Sequence, residues 1–107
     1  MASTREFLDF VLEQLSELEG VSTRRMMGEY VLYCGGKVIG GVYDDRLLLK
    51  PTPGALRLLE EQDMTPQYDV PYPGAKEMLV APVDERALLC RAAAAIADEL
   101  PAPKKRG

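Results

Sequence analysis

Apolar positions recur along this chain with two different periods, and the changes of period divide it into elements. Between Ser3 and Leu18, the residues Phe7, Leu8, Val11, Leu15 and Leu18 follow helical spacing, with Phe10 and Leu12 broadening the stripe. An amphipathic helix is expected there. Ser3 and Glu6 read as a capping box at its start, and Gly20 as a left-handed stop. From Val21 the period shortens to two. Val21 to Met27 reads as a first strand, turning near Gly28 into a meander that runs to Lys50.

Within this meander the turns set the register. Gly35-Gly36 and Asp44-Asp45 read as two-residue turns with positive φ at both positions, which pairs Tyr33 with Val38, Val31 with Gly40, Val42 with Leu47, and Gly40 with Leu49. Paired residues share a face. Glu29, Val31, Tyr33, Val38, Gly40, Val42, Leu47 and Leu49 form the face expected to meet the core. The opposite face then carries Tyr30, Leu32, Cys34, Lys37, Ile39, Gly41, Tyr43, Arg46, Leu48 and Lys50, a mixture of apolar groups and cations. Gly40 reads as room for a crossing helix and Tyr30 as the cover over Gly41. A bulge of one residue exchanges these faces beyond it.

After Lys50 the helical period returns. Thr52-Pro53 is a cap followed by proline at the first helical position, and Leu56, Leu58 and Leu59 supply an apolar face, which predicts a helix over 53–62. Prolines at 66, 71, 73 and 82 make Tyr68 to Tyr72 a loop or edge piece. Met78 to Val83 reads as a strand returning to the sheet. Asp84 then caps a last helix to about Glu99, with Leu88, Leu89, Ala92, Ala95 and Ile96 inward. The expected architecture is α+β: a two-layer sandwich of about five antiparallel strands with helices on one face, in the order α-β(4)-α-β-α. One domain spans 1–100, and 101–107 is a short basic tail.

Composition narrows the chemistry more than the fold. At 107 residues and 47% apolar content the chain suits a single globular domain. No run approaches the roughly 20 apolar residues of a membrane span, and acidic residues interrupt the N-terminus where a signal peptide stays apolar, so no membrane association and a cytoplasmic location are expected. Cys34 and Cys90 lack close spacing and read as free thiols. Histidine is absent, which removes the usual general base, the Ser-His and Cys-His nucleophile pairs and the commonest zinc ligand. Phosphate-loop, dinucleotide and zinc spacings are missing too. The carboxylate pairs Glu60-Glu61 and Asp44-Asp45 fall on a helix surface and a turn, without an apolar pocket to raise a pKa. No catalytic residue, cofactor or metal is therefore expected. The net charge is −4, with three cations, Lys104, Lys105 and Arg106, in the tail. The remainder stands at −7, 10 basic against 17 acidic residues, which makes direct nucleic-acid binding a poor fit.

The residues also carry a resemblance. The N-terminal helix, the run Arg25-Met26-Met27-Gly28-Glu29-Tyr30, the Tyr33-x-Gly35-Gly36 hairpin, the Leu49-Lys50-Pro51 ending, and the later YDVPYPGAKEMLVAPV with a closing helix together resemble the N-terminal domain of the TfoX/Sxy proteins, as far as about Leu100. The resemblance implies a two-layer α+β fold similar to secretion chaperones, and a regulatory role. Longer TfoX proteins act in competence and related gene expression beside a cyclic-AMP-responsive activator, and carry a second, C-terminal domain; this chain is expected to be a single-domain member. It brings no catalytic residues.

Taken together, these readings predict a non-enzymatic regulatory module that works through self-association or a protein partner in transcription regulation. Helices on one side leave Tyr30, Leu32, Ile39, Tyr43 and Leu48 as the candidate partner-binding patch. Two alternatives stand beside it. One is a small-ligand binder or unrecognised enzyme with a cleft or anion contact built from Arg24, Arg25, Tyr68, Tyr72 and Lys76. The other is weak DNA binding through Arg24, Arg25 and the tail.

Overall fold

The computed structural model describes residues 3–101, so Lys104, Lys105 and Arg106 of the predicted basic tail lie outside the described residues. In chain order the elements are α1 (Arg5–Gln14), β1 (Val21–Met26), β2 (Glu29–Cys34), β3 (Lys37–Tyr43), β4 (Arg46–Leu49), α2 (Pro53–Glu61), β5 (Tyr68–Asp69), β6 (Met78–Val80) and α3 (Arg86–Glu99). The strands form one antiparallel six-stranded sheet in the order β1-β2-β3-β4-β6-β5. The α+β architecture is as expected. The sixth strand is the short edge piece Tyr68–Asp69, which pairs with β6.

Three tight turns generate the meander. Met27-Gly28, Gly35-Gly36 and Asp44-Asp45 each join adjacent strands through two residues, and all six have positive φ. That geometry matches the right-handed twist of the strands they connect. The β3–β4 register is the predicted one, with Val42 opposite Leu47 and Gly40 opposite Leu49.

Between β2 and β3 a bulge intervenes. Tyr33 pairs with Val38 as expected, but Leu32 pairs with Gly40, which leaves Ile39 as the extra residue. The faces of β2 and of the start of β3 are consequently exchanged. Leu32, Cys34 and Ile39 join Val42, Leu47, Leu49 and Leu79 in the core, and Lys37 reaches α3 to donate to the Ala97 carbonyl at 2.7 Å. Val31, Tyr33 and Val38 look the other way. Gly40 is required by the strands and not by a helix: a Cβ there would stand 2.1 Å from the Leu48 carbonyl oxygen.

All three helices close over the same face of the sheet. Leu8, Val11 and Leu15 from the first helical segment, Ala55 and Leu59 from α2, and Leu88, Leu89, Ala92, Ala93 and Ile96 from α3 complete one contiguous core. Ala93 takes the inner position expected of Ala95, which is only half-buried.

Helix ends depart from the sequence reading in instructive ways. Thr4, not Ser3, caps α1 by accepting from the Phe7 N–H at 3.2 Å, because Ser3 is engaged elsewhere. Thr52 caps α2 as predicted, accepting from the Ala55 N–H at 3.4 Å. α3 begins after Glu85 without a side-chain cap, so Asp84 does not serve that role. At its far end the Glu99 carboxylate accepts from the Gly54 N–H at 3.0 Å, placing negative charge at the start of α2.

Candidate functional site

Among the described residues no helix covers the second face of the sheet, and the residues that look out of it are chosen by the bulge. Arg24 and Met26 from β1, Glu29, Val31 and Tyr33 from β2, Gly41 and Tyr43 from β3, and Arg46 and Leu48 from β4 lie on this side. The patch expected from Tyr30, Leu32, Ile39, Tyr43 and Leu48 is therefore not assembled. Leu32 and Ile39 are fully buried under the helices, and Tyr30 packs against that core. Leu48 does lie on the open side but is also fully buried, outside the contiguous core. Only Tyr43 of the five is a half-exposed group on the open face. Its ring, rather than that of Tyr30, lies over Gly41, where an added Cβ would meet the phenol atoms at 2.6 to 2.7 Å.

Along one end of this face runs a cleft of about 850 Å³, within the range of small-ligand and peptide-anchoring sites. Its floor is Glu29, Val31, Tyr43 and Arg46. Met26 and Met27 form one wall, the segment from Asp69 to Pro73 forms the other, and Asp44 closes the turn end. Of the cleft residues expected from sequence, Tyr72 is present. Tyr68 is half-exposed on the edge strand, and Lys76, Arg24 and Arg25 do not line the cleft. Arg24 and Arg25 point to opposite sides of β1, as adjacent strand residues must, and both are exposed.

Arg46 holds the Asp69–Pro73 wall in place. Its guanidinium Nη1 donates to the Asp69 carboxylate and to the Val70 carbonyl at 3.1 Å, while Nε donates to the Tyr43 carbonyl at 3.1 Å. The Arg46 hydrogen bond, aided by the Val70 N–H at 2.8 Å, holds the Asp69 carboxyl below the usual carboxylate range. Sequence separation hid this pairing: nothing about Arg46 points to a carboxylate 23 residues away.

The other buttress is Glu29. One of its oxygens accepts from Ser3 N–H at 2.9 Å and Ser3 Oγ at 2.6 Å, and the other accepts from the Asp44 N–H at 2.8 Å. Asp45 completes the tie by accepting from the Thr4 N–H at 2.7 Å. The N-terminal segment thus braces the Asp44-Asp45 turn, which explains why an all-aspartate turn persists with positive φ at both positions. Burial first, then Tyr72 and Glu29, push the Tyr43 phenol above its ordinary pKa, so it stays neutral.

Met27 is the residue that fits its position least. It occupies a positive-φ site, φ 52°, where Asn, Asp or Gly is the usual choice, and its side chain is 100% exposed. The strand expected over Val21 to Met27 ends at Met26, and Met27 belongs to the turn. A Met-Gly pair at a hairpin turn was the available signal.

Among the described residues no group of His, Cys, Asp and Glu has a metal-holding arrangement, both cysteines are free, and no helix is long and apolar enough to cross a membrane. The model of the TfoX N-terminal domain matches residues 13–83, spanning all of the sheet and the cleft. A relative from Spirochaeta aurantia, described as an uncharacterized 12.7 kDa protein in the trpE 5' region, is 39% identical over 108 residues, covering 99% of this chain and 90% of its own length. No solved structure matches. With the family's model spanning most of the chain and this similarity running nearly end to end, the protein belongs to the TfoX N-terminal domain family.

Proposed function

We propose that this chain is a non-enzymatic regulatory module, acting in the cytoplasm, that docks a protein partner in transcription regulation on the open face of its sheet. Met27 carries the reading. An L-residue held in the left-handed region costs the fold roughly 1–2 kcal/mol, and a fully exposed methionine offsets none of that by burial. Local strain combined with wasted apolar surface is the pattern of a residue kept for contact with something else. Methionine suits that use because its flexible, polarisable side chain adapts to a partner's surface.

Other features agree. The cleft beside Met27 has walls of Met, which adapts to a partner, and of Tyr and Pro, which anchor interfaces at little conformational cost. The absence of histidine from the sequence withholds the commonest acid-base catalyst from this site.

The test is photocrosslinking in cells, with benzoylphenylalanine replacing Tyr72 on the cleft wall or Arg91 on the exposed side of α3. A discrete protein adduct from position 72 and none from position 91 supports the reading. Adducts of the same kind from both positions, or from position 91 alone, overturn it, as does their absence from both.

A further inference from the structure

Beyond the open face, we infer that the outer edge of β1 takes up an extended acidic segment of a partner protein as an added strand, with adjacent carboxylates paired to Arg24 and Arg25. β1 and β5 are the two edges of the sheet. β5 is two residues long, stands among Pro66, Pro71 and Pro73, and has its Asp69 engaged by Arg46, so it offers little to pair with. β1 is six residues long, holds no proline, and is exposed from Arg24 to Met26. The two-residue Met27-Gly28 turn makes Met26 and Glu29 a hydrogen-bonded pair, and at the other end the Gly35 N–H donates to the Gly20 carbonyl at 3.0 Å. With that alternation Ser22 and Arg24 also bond to β2, while Val21, Thr23 and Arg25 aim their N–H and C=O groups outward. Among the described residues no backbone partner meets those groups. A row of this kind is a template for strand addition.

Charge decides what kind of segment fits. Arg24 lies opposite Val31 on the open face and Arg25 opposite Tyr30 on the helix-bearing face, and both are exposed. The chain has 17 acidic residues, yet among the described residues neither guanidinium has a carboxylate or a hydrogen-bond partner. Successive side chains of a strand alternate between faces, so an added strand reaches both arginines with two consecutive acidic residues, one on each face. The residue before or after that pair then stands beside the exposed Met26, which suits an apolar side chain. A second copy is a poor occupant of the same edge. Its β1 reads Val-Ser-Thr-Arg-Arg-Met without a carboxylate, so joining two β1 edges gathers two guanidiniums from each copy and no counterion. The charges that hold off self-pairing are the ones that select an acidic strand.

The experiment titrates the isotopically labelled full chain with two capped peptides, Thr-Val-Glu-Glu-Val-Thr and Thr-Val-Gln-Gln-Val-Thr, which share their shape and differ in charge. The glutamate peptide is expected to bind roughly fivefold or more tightly at low salt, with the difference shrinking toward about 0.5 M salt as screening sets in. It should slow solvent exchange of the Thr23 and Arg25 amides and leave Ser22 and Arg24, already bonded to β2, little changed. Arg24→Gln combined with Arg25→Gln should abolish the difference between the peptides. Arg24→Glu combined with Arg25→Glu should transfer the preference to Thr-Val-Lys-Lys-Val-Thr. Equal affinities of the unaltered chain for the first two peptides, or binding of neither, overturn the inference, as does binding that leaves Thr23 and Arg25 unprotected. Shifts of these amides that grow with protein concentration alone make a second copy the occupant and overturn it. A single-stranded oligonucleotide that moves the same amides at equal or lower concentration makes the arginines a nucleic-acid contact, and overturns it too.

Discussion

Replacing Met27 with asparagine should make the protein more stable, a direction opposite to that of most substitutions. The residue sits at φ 52° in a two-residue turn and exposes its whole side chain, so removing the thioether sacrifices no burial. Asparagine's short amide hydrogen-bonds locally and tolerates the left-handed region, recovering about half of a strain of roughly 1–2 kcal/mol. The net gain is about 0.5–1 kcal/mol, or roughly 2–4 °C in Tm for a domain of this size. Glycine relieves the strain more fully, but its greater freedom in the unfolded chain takes back about 0.5–1 kcal/mol, so Met27→Gly should also end about 0.5–1 kcal/mol more stable. Urea unfolding followed by circular dichroism measures both: the Met27→Asn midpoint should rise with an unchanged slope. A lower midpoint would mean the methionine side chain supports the fold, and its use as evidence for a partner would collapse. The same variant should lose crosslinking at position 72.

Three further outcomes follow from the sheet. Leu32→Ala should cost about 2–5 kcal/mol, as expected for a fully buried core leucine, whereas the neighbouring Val31→Ala on the open face should cost under about 1 kcal/mol; chemical denaturation that ranks them in reverse would refute the bulge. Gly40→Ala should prevent folding or cost at least about 3 kcal/mol, because its Cβ would strike the Leu48 carbonyl; Gly41→Ala meets only the end of the Tyr43 ring, should be milder, and should shift that ring's resonances. For Asp69, the folded carboxyl has a lowered pKa, so its contribution is complete above the unfolded value of about 3.9 and disappears as pH falls through the lower folded value. The stability difference between wild type and Asp69→Asn should accordingly be constant near neutrality and vanish in acid, and a difference that grows below pH 4 would contradict the Arg46 pairing.

The hairpins and helices were legible because short-range chemistry decides them. Gly35-Gly36 and Asp44-Asp45 tolerate the positive φ of a two-residue turn, Thr52-Pro53 supplies a cap and a first-turn proline ahead of an apolar helical face, and the apolar spacing of Val11, Leu15, Leu88, Leu89 and Ile96 leaves one face to bury. Caps were less legible. Ser3 and Asp84 both suit the role, but Ser3 is drawn to Glu29 by a tertiary contact and Asp84 falls one residue too early.

What local chemistry determined, then, is the order of the elements, the turn positions, the β3–β4 register and the side of α1 and α3 that packs. Which face of β2 turns inward was decided only by the folded whole. Tyr30, Leu32 and Cys34 are no more apolar as a set than Val31 and Tyr33, so alternation alone cannot rank the two faces. The choice rests on the Ile39 bulge, which Gly40 makes possible by bringing its backbone against the Leu48 carbonyl. The cleft has the same origin: Glu29 with Ser3, and Arg46 with Asp69, are partners that meet only after the sheet closes, and pairing across such distances leaves no periodic trace in a chain.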